Sequence, residues 1–154
     1  METVLTRIPV AEQLKWRRWM HQHAEVSFEE FETTAYIENL LRDVPGLTIA
    51  KPSPTGLVAT LHGGHPGKTL ALRADIDALP MDELADVDFK SLNPGVMHSC
   101  GHDVHAAILL GALFALVETR DALHGDVKFI FQAAEEVPPG GAIALVEAGV
   151  LDDV

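Results

Sequence analysis

The residues best suited to chemistry lie in one short stretch, MHSCGHDVHAA, which covers residues 97–107. Its centre holds Cys100, the only cysteine of the chain, and His102 two residues later. Three more side chains of the stretch could support a ligand or contact a substrate: His98, Asp103 and His105. A lone cysteine among apolar residues often packs in a core, whereas a thiol this close to an imidazole is typical of a metal site. We therefore interpret Cys100 and His102 as candidate metal ligands.

Two predicted strands end in further carboxylates. The segment ALRADI delivers Asp75 and Asp77, which are two residues apart and therefore on one face of a strand. The segment FIFQAAEE ends in Glu135 and Glu136. Ligands in α/β proteins gather beyond the carboxyl ends of the strands, so we expect these groups near Cys100. Their negative charges would repel one another, and a divalent cation is the simplest counter-ion.

Most of these residues also have an ordinary structural interpretation. Cys100 could be a core thiol, and Asp103 could cap a helix that begins at Val104. Asp77 could be a turn residue, and the pair of glutamates could be an exposed strand end. Each alternative is reasonable for a single residue. The metal-site interpretation is favoured because it explains three groups of residues at once: the stretch around Cys100 and the two strand ends that carry carboxylates.

Composition limits the possible partners and compartments. The net charge of −12 argues against nucleic acids and anionic membrane surfaces as partners, since both attract basic patches. One cysteine cannot form an intramolecular disulfide, so nothing indicates an oxidising compartment. The N-terminal segment lacks the apolar core of a signal peptide, and the longest apolar run, residues 106–117, is too short to cross a bilayer. We expect a cytoplasmic protein without a membrane segment.

The first elements that position these residues are predicted helices. Apolar residues at helical spacing predict a helix over residues 10–22, and its apolar positions are Val10, Leu14, Met20 and one tryptophan face. A second helix is predicted to open at Ser27, where Glu30 would complete a capping box.

The rest of the chain alternates strands and helices. The predicted elements are the strands LTIAK, GLVATLHG and KTLALRADI, a loop over 78–98, a helix over 104–123, the buried strand DVKFIFQA and the short helix AIALVEAGVL. This order predicts an α/β fold with a mixed sheet flanked by helices. The first two strands should form an antiparallel pair, and the later strands a parallel pair joined by a crossover helix.

Four segments, in order and covering nearly the whole chain, resemble the signature blocks of the M20 metallopeptidase family. They are RRWMHQHAEVSFEE, LRADIDALP, GVMHSCGHDVHAAILLGAL and VKFIFQAAEEVPPGGA. The resemblance is to the amidohydrolase branch, which includes auxin–amino acid hydrolases, hippurate hydrolases and N-acyl-amino acid deacylases. Ala24 and Ala133 stand where the family usually has proline, and neither change removes a chemical group.

The resemblance implies a catalytic centre, usually of two divalent ions, bound by Cys100, His102 and Glu136. Glu135 would be the general base, taking a proton from the attacking water and passing it to the leaving amine. Asp77 would serve catalysis by orienting its neighbours. Asp75 stands where related peptidases carry a metal-binding histidine, and it joins the residues expected to support a ligand or contact substrate. A thiolate, imidazole and carboxylate set accepts zinc, manganese, cobalt or nickel.

Members of the family are much longer, with two further histidine ligands and a lid domain that dimerises. The resemblance therefore implies that residues 1–154 are the N-terminal portion of a catalytic domain, without the lid and the C-terminal part. The implied function is metal-dependent hydrolysis of the amide bond of N-acyl amino acids or short peptides, in a homo-oligomer. The alternative is a truncated, inactive fragment that binds a metal or a partner.

Overall fold

The computed structural model describes residues 9–154. Its elements, in chain order, are α1 (Val10–Gln22), α2 (Phe31–Leu41), β1 (Leu47–Ala50), β2 (Leu57–Leu61), β3 (Leu70–Asp75), α3 (His102–Val117), a 3-10 turn (Arg120–Ala122), β4 (Val127–Gln132) and α4 (Ala142–Glu147). This order matches the prediction. Within the described range, no helix combines the length and apolarity needed to cross a bilayer. The prediction that the N-terminal segment is not a signal peptide falls partly on residues 1–8, which lie outside the described range.

The strands form one mixed sheet in the order β1-β2-β4-β3. The pairs β1–β2 and β2–β4 are antiparallel, while β3 and β4 are parallel and are connected through α3. The predicted antiparallel pair and the predicted parallel crossover are both confirmed. The parallel pairing matters for function because it brings the carboxyl ends of β3 and β4 to the same edge of the sheet.

The main core lies between the sheet and the helices. The inward side chains of β4, Phe129 and Phe131, are fully buried in one cluster with Leu110 and Leu113 of α3. Each such apolar side chain contributes roughly 1.5–3 kcal/mol by leaving water. Helix α3 is therefore held firmly against β4, and its first residues have a defined position relative to the strand ends.

The predicted apolar face of α1 is confirmed for Met20 and for one tryptophan, Trp16, but is wrong for Val10 and Leu14. Val10 and Leu14 are 61% and 55% exposed, whereas Trp16 and Met20 are buried. Helical spacing allows more than one apolar face, and the helix turns the face with the larger side chains towards α3 because that burial removes more apolar surface from water.

The predicted capping box at the start of α2 is also wrong, because the helix begins four residues later than Ser27. The hydroxyl of Ser27 donates to Asp77 Oδ2 at 2.7 Å. Glu30 turns into the interior, where it is fully buried. The first turn of α2 is instead capped by the carboxylate of Glu25, which accepts two of its backbone N–H groups at 3.0 and 2.8 Å.

Helix α3 begins and ends earlier than predicted. It starts at His102 because Gly101 adopts φ +88°, a left-handed conformation that glycine tolerates. It ends at Val117, and the predicted continuation to Leu123 forms the 3-10 turn instead. The early start makes His102 the first helical residue.

Candidate metal centre

The predicted site residues meet at the carboxyl edge of the parallel strands. The nearest possible ligand atoms of Cys100, His102 and Glu136 all lie within 4.8 Å of one another. Cys100 comes from the loop before α3, His102 from the first turn of α3, and Glu136 from the segment after β4. Cys100 is exposed, so the alternative of a core thiol is wrong. Three parts of the chain therefore bring a sulfur, a nitrogen and an oxygen donor to one place.

Asp77 sets the orientation of the His102 ring. His102 Nδ1 lies 2.9 Å from the backbone carbonyl of Asp77 and 3.2 Å from its Oδ1. The backbone carbonyl accepts a hydrogen bond from Nδ1, and the adjacent carboxylate favours a proton there, so Nδ1 carries the proton. Nε2 then faces the glutamates, 4.0 Å from Glu135 and 3.9 Å from Glu136. The hydrogen bond to the Asp77 carboxylate raises the pKa of His102 to about 9, although burial acts in the opposite direction.

Asp77 connects three separate segments of the chain, through Ser27, His102 and Glu136. Its buried carboxylate accepts hydrogen bonds from the Ser27 hydroxyl and from the backbone N–H of Glu136, at 2.7 and 3.0 Å. Burial alone would raise the pKa of Asp77, but the bonds from His102, Glu136 and Ser27 hold it well below its ordinary range. Asp77 is therefore a buried carboxylate with several donors, and the alternative of a simple turn residue is wrong. Its catalytic role stays a prediction.

The two consecutive glutamates have different surroundings. The side chain of Glu135 is 43% exposed, while that of Glu136 is 19% exposed. Glu136 Oε1 is buried and has no hydrogen-bond partner among residues 9–154. A buried carboxylate oxygen without a partner is unfavourable unless a cation or a donor faces it. The neighbouring Glu136 carboxylate is the main cause that raises the pKa of the Cys100 thiol, and the other acidic charges nearby act in the same direction. This donor set fits a divalent cation.

Asp103 does not cap the helix. The alternative that assigned it this role is wrong, because it lies within the first turn of α3, is buried, and faces α1. Its Oδ2 atom lies 2.7 Å from Arg17 Nε and 2.8 Å from His21 Nδ1. His21 Nε2 in turn lies 3.0 Å from a carboxylate oxygen of Glu83. These contacts connect α1, α3 and the loop after β3.

The other residues predicted to support a ligand or contact substrate are His98, His105 and Asp75, and they differ in burial and in contacts. His98 is buried, neither ring nitrogen has a partner within residues 9–154, and burial lowers its pKa to about 4. His105 is exposed, with its ring centroid 5.9 Å from that of His102. Asp75 pairs with Arg73 at 2.5 Å. Whether any of the three contacts substrate stays a prediction.

Sequence reasoning missed the roles of several polar residues near the site: the partly buried Ser27 and the buried Glu30, His21 and Glu83. Ser27 and Glu30 lie inside one of the segments that carried the resemblance, but their spacing was interpreted as a capping box. Glu30 Oε1 accepts the backbone N–H of Ala134 at 2.7 Å, and burial raises the pKa of Glu30. Acidic residues next to apolar positions within a signature segment are the signal that could have indicated buried carboxylates.

Comparison with known proteins agrees with this geometry. The family model described as peptidase family M20/M25/M40 matches residues 71–154. The chain belongs to this family. A dinuclear metal-binding peptidase from the M20 family of Bacillus subtilis superposes with a TM-score of 0.88 and 42% identity, over 94% of this chain and 40% of that one. The predicted family and the predicted α/β fold are thereby confirmed.

Sequence relatives point to the amidohydrolase branch. An N-acyl-L-amino acid amidohydrolase of Geobacillus stearothermophilus is 45% identical over 141 residues, which is 92% of this chain and 38% of that protein. An N-acetyl-L-cysteine deacetylase of Bacillus subtilis (strain 168) is 46% identical over 139 residues, covering 90% of this chain and 33% of that protein. This M20 chain therefore spans well under half the length of these relatives.

Proposed function

We propose that this M20 chain forms the N-terminal portion of the catalytic domain of a metal-dependent amidohydrolase. The substrates would be N-acyl amino acids or short peptides, cleaved at the amide bond. The observation that carries the proposal is the convergence of Cys100, His102 and Glu136 within 4.8 Å. The names of the relatives support it, since they include an amidohydrolase and a deacetylase of N-acylated amino acids.

The metal would be held by Cys100 Sγ, His102 Nε2 and the Glu136 carboxylate, with zinc, manganese, cobalt or nickel compatible with this mixed set. Bound divalent ions, two in a complete site, would acidify water and stabilise negative charge on the amide oxygen. The partnerless Oε1 of Glu136 supports this assignment, because a cation would satisfy it. Asp77 would keep the proton on His102 Nδ1 and leave the lone pair on Nε2 free to bind.

Glu135 would be the general base. Its carboxylate lies 4.0 Å from His102 Nε2, and its side chain is open to solvent, so it can reach a water beside the ligands. It would take a proton from the attacking water and deliver a proton to the leaving amine, so that amide and water yield a carboxylic acid and an amine. Glu136, which is less exposed and faces Cys100, is better suited to ligation than to proton transfer.

Metal analysis and a hydrolysis assay test the proposal. The chain is dialysed against each of the four metals and its bound metal is measured, with His102→Ala as the variant that removes a ligand. His105→Ala is the matched control, because it removes an exposed imidazole from the same helix. We expect binding in the control and loss in His102→Ala. Equal binding in both variants would refute the ligand assignment.

Hydrolysis of N-acetyl amino acids is then measured with the metal-loaded chain. Turnover that depends on metal would support the amidohydrolase. Metal binding without turnover would favour the alternative of an inactive fragment. We further propose a cytoplasmic protein that forms a homo-oligomer, to be checked by fractionation of cells and by light scattering.

A further inference from the structure

The segment that follows β4 makes an unusual change of direction at Ala134. Consecutive residues of a strand point to opposite faces, yet the carboxylates of Glu135 and Glu136 both come within 4.0 Å of His102 Nε2. The chain leaves the strand through Ala134, which has φ +50° and is fully buried. This left-handed conformation is unfavourable for a residue with a Cβ atom, so surrounding contacts must hold it.

Those contacts involve both backbone polar groups of Ala134. Its N–H donates to Glu30 Oε1 at 2.7 Å, and its carbonyl accepts the N–H of Gly141 at 2.9 Å. Two residues further on, the N–H of Glu136 donates to Asp77. Two buried carboxylates, from Glu30 and Asp77, therefore hold the backbone on either side of Glu135.

Glu30 is itself held in place from two directions. Its own backbone carbonyl accepts the hydroxyl of Thr34 at 2.6 Å, and the oxygen of that hydroxyl accepts the N–H of Gly56 at 2.8 Å. Thr34 belongs to α2, and Gly56 lies directly before β2. The Glu30 carboxylate thus reaches Ala134, 104 positions along the chain, from a base that is fixed to both a helix and the sheet.

We propose that Glu30 is a positioning residue for the metal centre: its carboxylate holds Ala134 in the left-handed conformation that turns Glu135 and Glu136 towards His102. The inference rests on the proposed function, because that function assigns the roles of Glu135 and Glu136. The hydrogen bonds that hold Ala134 do not depend on it. The Glu30 carboxylate bonds the backbone of Ala134, so it would act through the backbone that carries Glu135 and Glu136.

Three substitutions of Glu30 separate the effect of side-chain length from the effect of side-chain charge. Glu30→Gln keeps an oxygen acceptor at the same distance without the charge. Glu30→Asp keeps the charge but withdraws the acceptor by one methylene, and Glu30→Ala removes both. Glu25→Ala is the matched control, because it removes the carboxylate that caps α2 without touching Ala134.

Amide hydrogen exchange of the metal-free chain is the first measurement. We expect exchange of the Ala134–Glu136 amides to accelerate about ten-fold in Glu30→Asp and Glu30→Ala, as for loss of one buried hydrogen bond. Glu30→Gln should stay near the wild-type rate. Glu25→Ala should accelerate exchange in the first turn of α2 only. Unchanged exchange at Ala134 in Glu30→Asp, or an equal effect in Glu25→Ala, would overturn the proposal.

Cobalt binding is the second measurement, followed through the absorption of the thiolate–cobalt bond. We expect affinity to fall about ten-fold in Glu30→Asp and to be retained in Glu30→Gln, for the same hydrogen-bond reason. If cobalt affinity falls in Glu30→Gln but is retained in Glu30→Asp, the charge of the side chain matters rather than its length, and the proposal is overturned. If wild type binds no cobalt, the proposed function fails, while the exchange result alone still decides the role of Glu30. Should Glu30→Ala fail to fold, the Gln and Asp pair gives the same decision.

Discussion

Replacing Asp77 with asparagine should lower the pKa of His102 in the metal-free chain. The hydrogen bond to the Asp77 carboxylate is the main reason that this pKa is raised from 6.5 to about 9. The substitution would leave the imidazole buried but would remove the negative charge that stabilises its protonated form. A ten-fold change in proton affinity corresponds to about 1.4 kcal/mol. The interaction is therefore worth about 2 to 3 kcal/mol after allowance for solvent screening.

The sign of the pH dependence follows from the raised pKa. His102 contributes stability that is fully present below its ordinary pKa of 6.5 and is lost as the pH rises through about 9. Asp77, with its lowered pKa, contributes stability that is present above 3.8 and is lost as the pH falls below that value. Both statements describe one ion pair, so their free energies are not added. The metal-free chain should lose up to about 2 to 3 kcal/mol of unfolding free energy between pH 6.5 and 9 through this pair.

Nuclear magnetic resonance of the imidazole nitrogens checks the prediction directly, by titrating His102 in wild type and in Asp77→Asn. Asp75→Asn is the matched control, because it removes a nearby carboxylate that pairs with Arg73 and does not bond the ring. We expect the pKa of His102 to fall towards 6.5 in Asp77→Asn and to fall much less in Asp75→Asn, because the charge of Asp75 is the weakest of the influences that raise it. An unchanged pKa in Asp77→Asn, or equal falls in both variants, would refute the reasoning.

Three further predictions concern metal, catalysis and assembly. Cys100→Ser should weaken metal binding more than about ten-fold, since a hydroxyl replaces a thiolate poorly; equal affinity by calorimetry would argue against ligation. Glu135→Gln, in a polypeptide of the relatives' length, should reduce hydrolysis by about 10²–10⁴-fold at unchanged metal content, and loss of metal would contradict the base assignment. The 154-residue chain should self-associate through the exposed edge of β3, where Leu70 is 55% exposed; a monomer by light scattering would count against this.

Local pattern in the sequence was sufficient for the element order and for the expectation that Cys100, His102 and the paired glutamates lie close together. Alternation and helical spacing depend on neighbouring residues, so the strands around Phe129 and the helix after Cys100 were predictable. The parallel arrangement of β3 and β4 followed from the intervening helix. Since parallel strands end at one edge, the meeting of His102 and Glu136 could be expected without coordinates.

Tertiary structure alone decided which polar groups face each other. Ser27 and Glu30 have the spacing of a capping box, yet Ser27 donates its hydrogen bond to Asp77 and Glu30 accepts one from the backbone of Ala134. The local pattern could not reveal this, because those partners lie 50 and 104 positions away in the chain. A buried donor or acceptor must find a partner wherever the packed fold presents one. The left-handed turn at Ala134, which directs both glutamates to one imidazole, has the same origin: distant contacts hold a conformation that alanine does not favour by itself.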